Sequence, residues 1–204
     1  LCSVASTDNP LEAVWTTDDD LDRLPRPDRV DRLPIPGGFA LHGMGGDRPA
    51  LSVAAGEFEG VRRVASWLQE DLERVMGAPY RLAMAGEDMA PNRIIVVSTL
   101  DRHPRVAAWA ESGLIDLEPL AGQWEASLAQ VIDDPEPGIE QALVLVGSDK
   151  RGTIFAMMEL SRMMGVSPWY WWADVPVERQ SELYVAPGAR YLESPKIRYR
   201  GIFI

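Results

Sequence analysis

Residues 142–155 read Ala-Leu-Val-Leu-Val-Gly-Ser-Asp-Lys-Arg-Gly-Thr-Ile-Phe. Five apolar residues in succession, closed by a glycine, describe a strand buried on both faces. A helix is expected directly after it, from about Asp149 to Met164. Ser148 or Asp149 can accept from the first free amides of that helix. Lys150 and Arg151 then fall in its first turn, against the positive end of the helix dipole. That placement costs roughly 0.3–1 kcal/mol for each cation. Two such cations imply a negative group opposite. One reading is an anion site built from free amides, Lys150 and Arg151. The other is that both cations pair with acidic residues of a neighbouring element. The segment from Gly147 to Gly152 lacks the Gly-x-x-x-x-Gly-Lys order of a nucleotide loop.

The same strand-then-helix alternation extends outward on the N-terminal side. From Glu57 to Met76, Phe58, Val61, Val64, Ala65, Leu68, Leu72, Val75 and Met76 recur at spacings of three and four. At helical periodicity they share an arc of about 120°, a stripe for one core-facing side. Glu57 and Glu59 suit the N-terminal end of this helix and Gly77 suits its stop. Glu70 and Arg74 form an i, i+4 pair. Trp67 lies off the stripe. Phe39–Leu41 and Pro49–Ala54 read as two strands, with Gly43-Met-Gly-Gly-Asp47 as a hairpin turn between them and His42 as a loop residue. Further strands are expected at 81–84, 94–98 and 125–131, and a short helix at 104–112. The alternation gives an α/β class, a layered sandwich of a mixed sheet with packed helices. The helix after Asp149 is apolar in nearly every direction, so it calls for cover on two sides. Glu159 is read as an ion-pair partner of Arg162.

Composition bounds the function. The chain has 204 residues, a prior of one domain with a sizeable core. Lys plus Arg number 20 and Asp plus Glu 31, a formal net charge of −11. That sign argues against nucleic acid as a partner. Only Lys150 and Lys196 are lysines. No apolar run reaches the roughly 18 residues of a membrane span. Cys2 is the single cysteine, which excludes an internal disulfide and any multi-cysteine metal site. Leu1–Ser6 reads equally as a frayed terminus, the tail of an export signal, or a lipid-attachment site at Cys2.

The two ends differ from the middle. Residues 1–37 are acidic and proline-rich, an irregular leader. An α/β domain is expected over 38–190. Residues 191–204 are read as a linker and the opening strand of a further domain, because the chain stops on Ile202-Phe-Ile204 in strand-like sequence. Before that, Val166-Ser-Pro-Trp-Tyr-Trp-Trp-Ala-Asp-Val-Pro176 carries four consecutive aromatics. Trp169, Tyr170, Trp171 and Trp172 fit packing at a domain interface or stacking on sugar rings. Asp174 is read as a cap or loop carboxylate.

Residues 147–155, Gly-Ser-Asp-Lys-Arg-Gly-Thr-Ile-Phe, resemble a motif of glycoside hydrolase family 115, the xylan α-1,2-glucuronidases. The aromatic run from Gly165 to Val177, the helix from Glu57, Leu120-Ala-Gly-Gln-Trp-Glu125 and Tyr199-Arg-Gly-Ile-Phe-Ile204 resemble it too. The likeness spans about residues 38–204. Phe155 and Ala156 stand where the family has Tyr and Gly, which puts a polar contact there in doubt.

The resemblance implies an N-terminal domain similar to the one that precedes the barrel in β-hexosaminidases and α-glucuronidases. It implies a following TIM barrel that carries the catalytic carboxylates, so this chain holds no catalytic residue. No cofactor and no metal are assigned from the sequence. The substrate would be a glucuronic acid side chain of glucuronoxylan or its oligosaccharides, and the location secreted or periplasmic. A homodimer of the full-length enzyme is compatible with it. Lys150, Arg151, Asp149 and Ser148 are then candidates for the rim of the uronate pocket. An autonomous carbohydrate-binding module, a purely structural interface domain and an anion- or nucleotide-binding α/β protein are the alternatives.

Overall fold

The computed structural model describes residues 30–42, 48–85, 87 and 92–201, apart from the side chain of Trp171. Among the described residues nine strands and four α-helices follow one another: β1 Val30–Asp31, β2 Phe39–His42, β3 Ala50–Val53, α1 Glu59–Met76, β4 Leu82–Met84, β5 Arg93–Thr99, α2 Pro104–Glu111, β6 Ser127–Glu136, β7 Ile139–Gly147, α3 Lys150–Met163, α4 Tyr170–Ala173, β8 Leu183–Val185 and β9 Gly188–Leu192. A 3-10 turn sits at Glu118–Leu120.

The main sheet has the order β4-β3-β5-β7-β6-β9. The first four strands are parallel, while β6 and β9 run antiparallel to their neighbours. Strand periodicity of two sorts its residues onto opposite faces. Leu51, Ile95, Leu143 and Val131 lie in one cross-strand row. They belong to the core that also holds Val61, Leu68 and Leu72 of α1 and Met157 and Leu160 of α3. Ile94, Ala142 and Ile132 form the adjacent row, whose side chains join Val106 and Trp109 of α2 and Leu120. The architecture is therefore the expected α/β sandwich, with α1 and α3 on one face and α2 on the other.

Helix α1 starts at Glu59, two residues later than the apolar pattern suggested, and ends at Gly77 in a left-handed conformation. Phe58, placed in the stripe by periodicity, is exposed. Trp67 is 49% exposed, off the stripe as read. The Glu70–Arg74 pair is present at 2.9 Å. Helix α3 is less enclosed than its composition suggests. Met157, Leu160 and Met164 are buried, but Met158 is exposed.

Three other expectations change. β2 and β3 do not form a hairpin; β2 pairs with β8 in a separate antiparallel sheet of order β1-β8-β2. The turn residues 43–47 lie outside the described set. Val30 and Asp31, in the stretch read as irregular, pair with Val185 and Tyr184. The strand expected from Glu125 begins at Ser127, because Glu125 has φ 54° and turns the chain. β9 runs across residue 190, and residues 193–201 contain no strand. Leu1–Ser6, Cys2 included, and Ile202–Ile204 lie outside the described residues.

Candidate functional site

In a parallel sheet every strand-to-helix loop opens at the carboxyl end of its strand. Here those loops carry residues 54–58, 100–103 and 148–149. The chain leaving β3 enters α1 on one face, and the chain leaving β5 enters α2 on the other. Loops that part in this way leave a crevice between the two strands, the usual ligand position of such sheets.

The loop after β7 is built by close approach. A Cβ on Gly147 would lie 1.9 Å from the Thr153 nitrogen, and one on Gly152 would lie 2.2 Å from the Ala126 carbonyl oxygen. Only glycine fits at either place. Asp149 is the N-cap of α3: its Oδ1 accepts from Arg151 N at 2.9 Å and Gly152 N at 2.8 Å. Its Oδ2 accepts from Glu125 N at 3.0 Å. Ser148 does not cap the helix. Its amide donates to Ala126 O at 2.9 Å and its hydroxyl accepts from Ala126 N at 3.0 Å. Asp149 and Ser148 thus hold the 125–126 turn against the helix start.

That turn presents the buried carboxylate of Glu125. Arg151 contacts its Oε1 at 2.8 Å, and Arg200 contacts its Oε2. The Arg200 guanidinium also stacks over Trp124, and Ser194 accepts from Trp124 N at 3.3 Å. The first-turn arginine is therefore ion-paired with a neighbouring element, as one of the two readings of this loop held. Lys150 is different. It is exposed, its stem passes near Gly60 of α1, and it has no ion-pair partner among the described residues.

The crevice itself holds a residue that was read only as a helix-end charge. Glu57 is fully buried, and its carboxylate accepts from Thr99 N at 2.7 Å, Thr99 Oγ1 at 2.9 Å and Phe58 N at 2.8 Å. The Thr99 hydroxyl hydrogen is committed to this carboxylate, and Thr153 Oγ1 lies 2.9 Å from Thr99 Oγ1 with Asp149 O, at 2.9 Å, as a second acceptor for its single hydrogen. On the other side of the sheet His103 caps α2. Its Nδ1 accepts from Arg105 N at 3.2 Å, which leaves the proton on Nε2 to donate to Ser52 Oγ at 3.1 Å. Burial, with Arg105 nearby, lowers the His103 pKa to about 4. Neither Glu57 nor His103 is identifiable by spacing, because the partners Thr99 and Ser52 are 42 and 51 residues away.

The aromatic run forms the short helix α4 and its approach. Trp169 is 65% and Trp172 85% exposed. Tyr170 is half-buried beneath Arg74, whose guanidinium lies 5.4 Å from the ring centre. The side chain of Trp171 is outside the described set. Asp174 ends the turn at φ 47°. Together with Trp67, Met158 and Val166, Tyr170 lines a groove of about 440 Å³ between α1 and α3. Tyr170 is thus on the α1/α3 face and not beside Lys150 and Arg151.

Among the described residues no group of three or more His, Cys, Asp or Glu is placed to hold a metal, and no helix is long and apolar enough to cross a membrane.

No family profile matches the sequence, and no curated protein matches it. Among solved structures the fold matches "A novel family GH115 4-O-Methyl-alpha-glucuronidase, BtGH115A, with specificity for decorated arabinogalactans". The match has a TM-score of 0.64 and 30% identity, over 81% of this chain and 20% of that one. The chain has a GH115-like fold. It spans about a fifth of BtGH115A, so it is similar to one portion of that glycosidase. A looser overlap, with a TM-score of 0.41 and 9% identity, covers 78% of this chain and 24% of the chain in "Structure of CpGH84D". The GH115-like domain keeps Gly147, Asp149 and Gly152 in roles fixed by packing, and it leaves Lys150 projecting.

Proposed function

We propose that this chain is the N-terminal accessory domain of an α-glucuronidase that removes glucuronic acid, or its 4-O-methyl ether, from glucuronoxylan, and that it is inactive alone. The observation that carries the reading is the 30% identity with BtGH115A over 81% of this chain but only 20% of that one. The bond-breaking carboxylates would belong to a following barrel domain. An inverting glycosidase needs two carboxyl groups about 6.5–9.5 Å apart with room for water. The two buried carboxylates at the carboxyl end, Glu57 and Glu125, are both saturated by protein donors and suit structure better than acid–base work.

In this reading the Glu125–Arg151–Arg200 junction holds the chain that leads into the barrel. Lys150, exposed and without an ion pair among the described residues, lies at the uronate rim as a point charge for the substrate carboxylate. A secreted or periplasmic location, with Cys2 as a lipid-attachment residue, belongs to the same reading. BtGH115A is described as specific for decorated arabinogalactans, which makes that polymer the alternative to glucuronoxylan.

The test is kinetic and uses the longer protein. Lys150→Ala should raise KM for glucuronoxylan while changing kcat little. Equal kinetics for Lys150→Ala and wild type on both polymers removes Lys150 from the rim. The purified 204-residue chain should release no glucuronic acid, and release by it overturns the accessory role.

The exposure of Trp169 and Trp172 favours a second reading, a carbohydrate-binding module. Calorimetric titration of the chain with glucuronoxylan oligosaccharides separates the two: micromolar binding supports the module, and absence of heat supports the accessory domain.

A further inference from the structure

Burying a carboxylate costs several kcal/mol unless each oxygen is met by well-placed donors. Glu57 meets that condition with donors that are not its own neighbours alone. Thr99 supplies an amide and a hydroxyl from the end of β5, and Phe58 supplies a free amide at the start of α1, where the helix dipole favours negative charge. The Arg102 guanidinium lies 3.8 Å away. These groups converge in the crevice between β3 and β5, where a doubly wound sheet holds its ligand.

The strap that carries Glu57 into the crevice is tied from outside by two arginines. Arg102 donates to Gly56 O at 2.6 Å and stacks on the Phe58 ring at 3.8 Å. Arg62 donates to Glu57 O at 2.9 Å and to Ala55 O at 3.3 Å.

We propose that the crevice is a carboxylate-binding site occupied in cis by Glu57. The donor set recognises a carboxylate as a chemical group, and the protein supplies that group from its own chain, so the crevice is closed to outside anions. This inference is independent of the glucuronidase reading.

The test is chemical rescue. Glu57→Ala deletes the heavy atoms of acetate, and Glu57→Gly deletes those of propionate. Thermal unfolding of the 204-residue chain and its variants is followed at pH 7 and constant ionic strength against acetate, propionate and chloride. Acetate should raise the Tm of Glu57→Ala by roughly 3–5 °C for each tenfold increase beyond half-saturation. Glu57→Gly should respond more to propionate than to acetate. Wild type and Glu57→Gln, whose cradle stays filled, should respond to neither. If Glu57→Ala is unfolded in chloride, refolding by acetate, read by circular dichroism, is the same result. Variants that respond to acetate and propionate no more than to chloride, whether folded or not, overturn the proposal.

Discussion

His103 shows how a single side chain can set an acid limit on a fold. Its Nδ1 must be unprotonated to accept from Arg105 N, and burial opposes the charged ring. The folded pKa, about 4, lies below the ordinary 6.5. The neutral ring therefore contributes stability that is fully present above pH 6.5 and lost as pH falls through 4. The size is about 3 kcal/mol across that window. Urea unfolding at pH 7, 5.5 and 4 should show the decline. His103→Asn, which keeps a cap acceptor but cannot titrate, should flatten it. A variant profile as steep as wild type assigns the acid sensitivity elsewhere. Glu159 acts in a lower window. Hydrogen bonds from Arg162, with those from Arg190, outweigh its burial and bring its pKa to about 2. Its contribution is present above pH 4.5 and lost towards pH 2.

Within the β7–α3 unit each residue of the loop is fixed by a different contact. Gly152→Ala would drive a methyl group into the Ala126 carbonyl, and strain of that kind costs about 1–3 kcal/mol. Asp149→Ala removes the acceptor of three amides, including Glu125 N, and should cost about 1–2 kcal/mol. Chemical denaturation of both variants checks these values, and a loss below 0.5 kcal/mol in either removes the corresponding contact from the account. Asp149→Ala should also accelerate amide hydrogen exchange at residues 124–126, because the turn loses its anchor. The strand, the cap and the first-turn cations were legible here, since an apolar run, a carboxylate and a glycine act within a few residues. The partner of Arg151 was not. Glu125 reaches it only because the 125–126 turn is held across the sheet by Ser148 and Asp149. The hairpin expected between β2 and β3 failed for a similar reason. Glycines report that a chain can reverse, but they do not report that Leu183–Val185, about 140 residues later, supplies the neighbouring strand.

Across the molecule, charge and apolar surface are unevenly divided. The formal charge is −11, yet Arg62, Arg102, Lys150, Arg151 and Arg200 gather at the carboxyl end of the main sheet. The α1/α3 face instead carries Trp67, Met158 and Tyr170 around the groove, and Trp169 and Trp172, on either side of Tyr170 in the chain, are exposed. Periodicity placed Trp67 off the core stripe, and the four aromatics were read as interface or sugar-stacking residues. The grouping of Tyr170 with α1 depends on the path of residues 166–170, which no local signal gives. Exposed aromatics contribute little to the fold that displays them, because their surface is not removed from water. Replacing both Trp169 and Trp172 by Ala should therefore leave the unfolding midpoint of the 204-residue chain within about 1 °C of wild type. In the full-length glucuronidase proposed above, the same pair of substitutions should lower the midpoint of the domain by several degrees if a following domain covers this face. Equal midpoints in the longer protein, with and without the tryptophans, would mean that the face is open there as well, and would move the argument towards a glycan as its occupant.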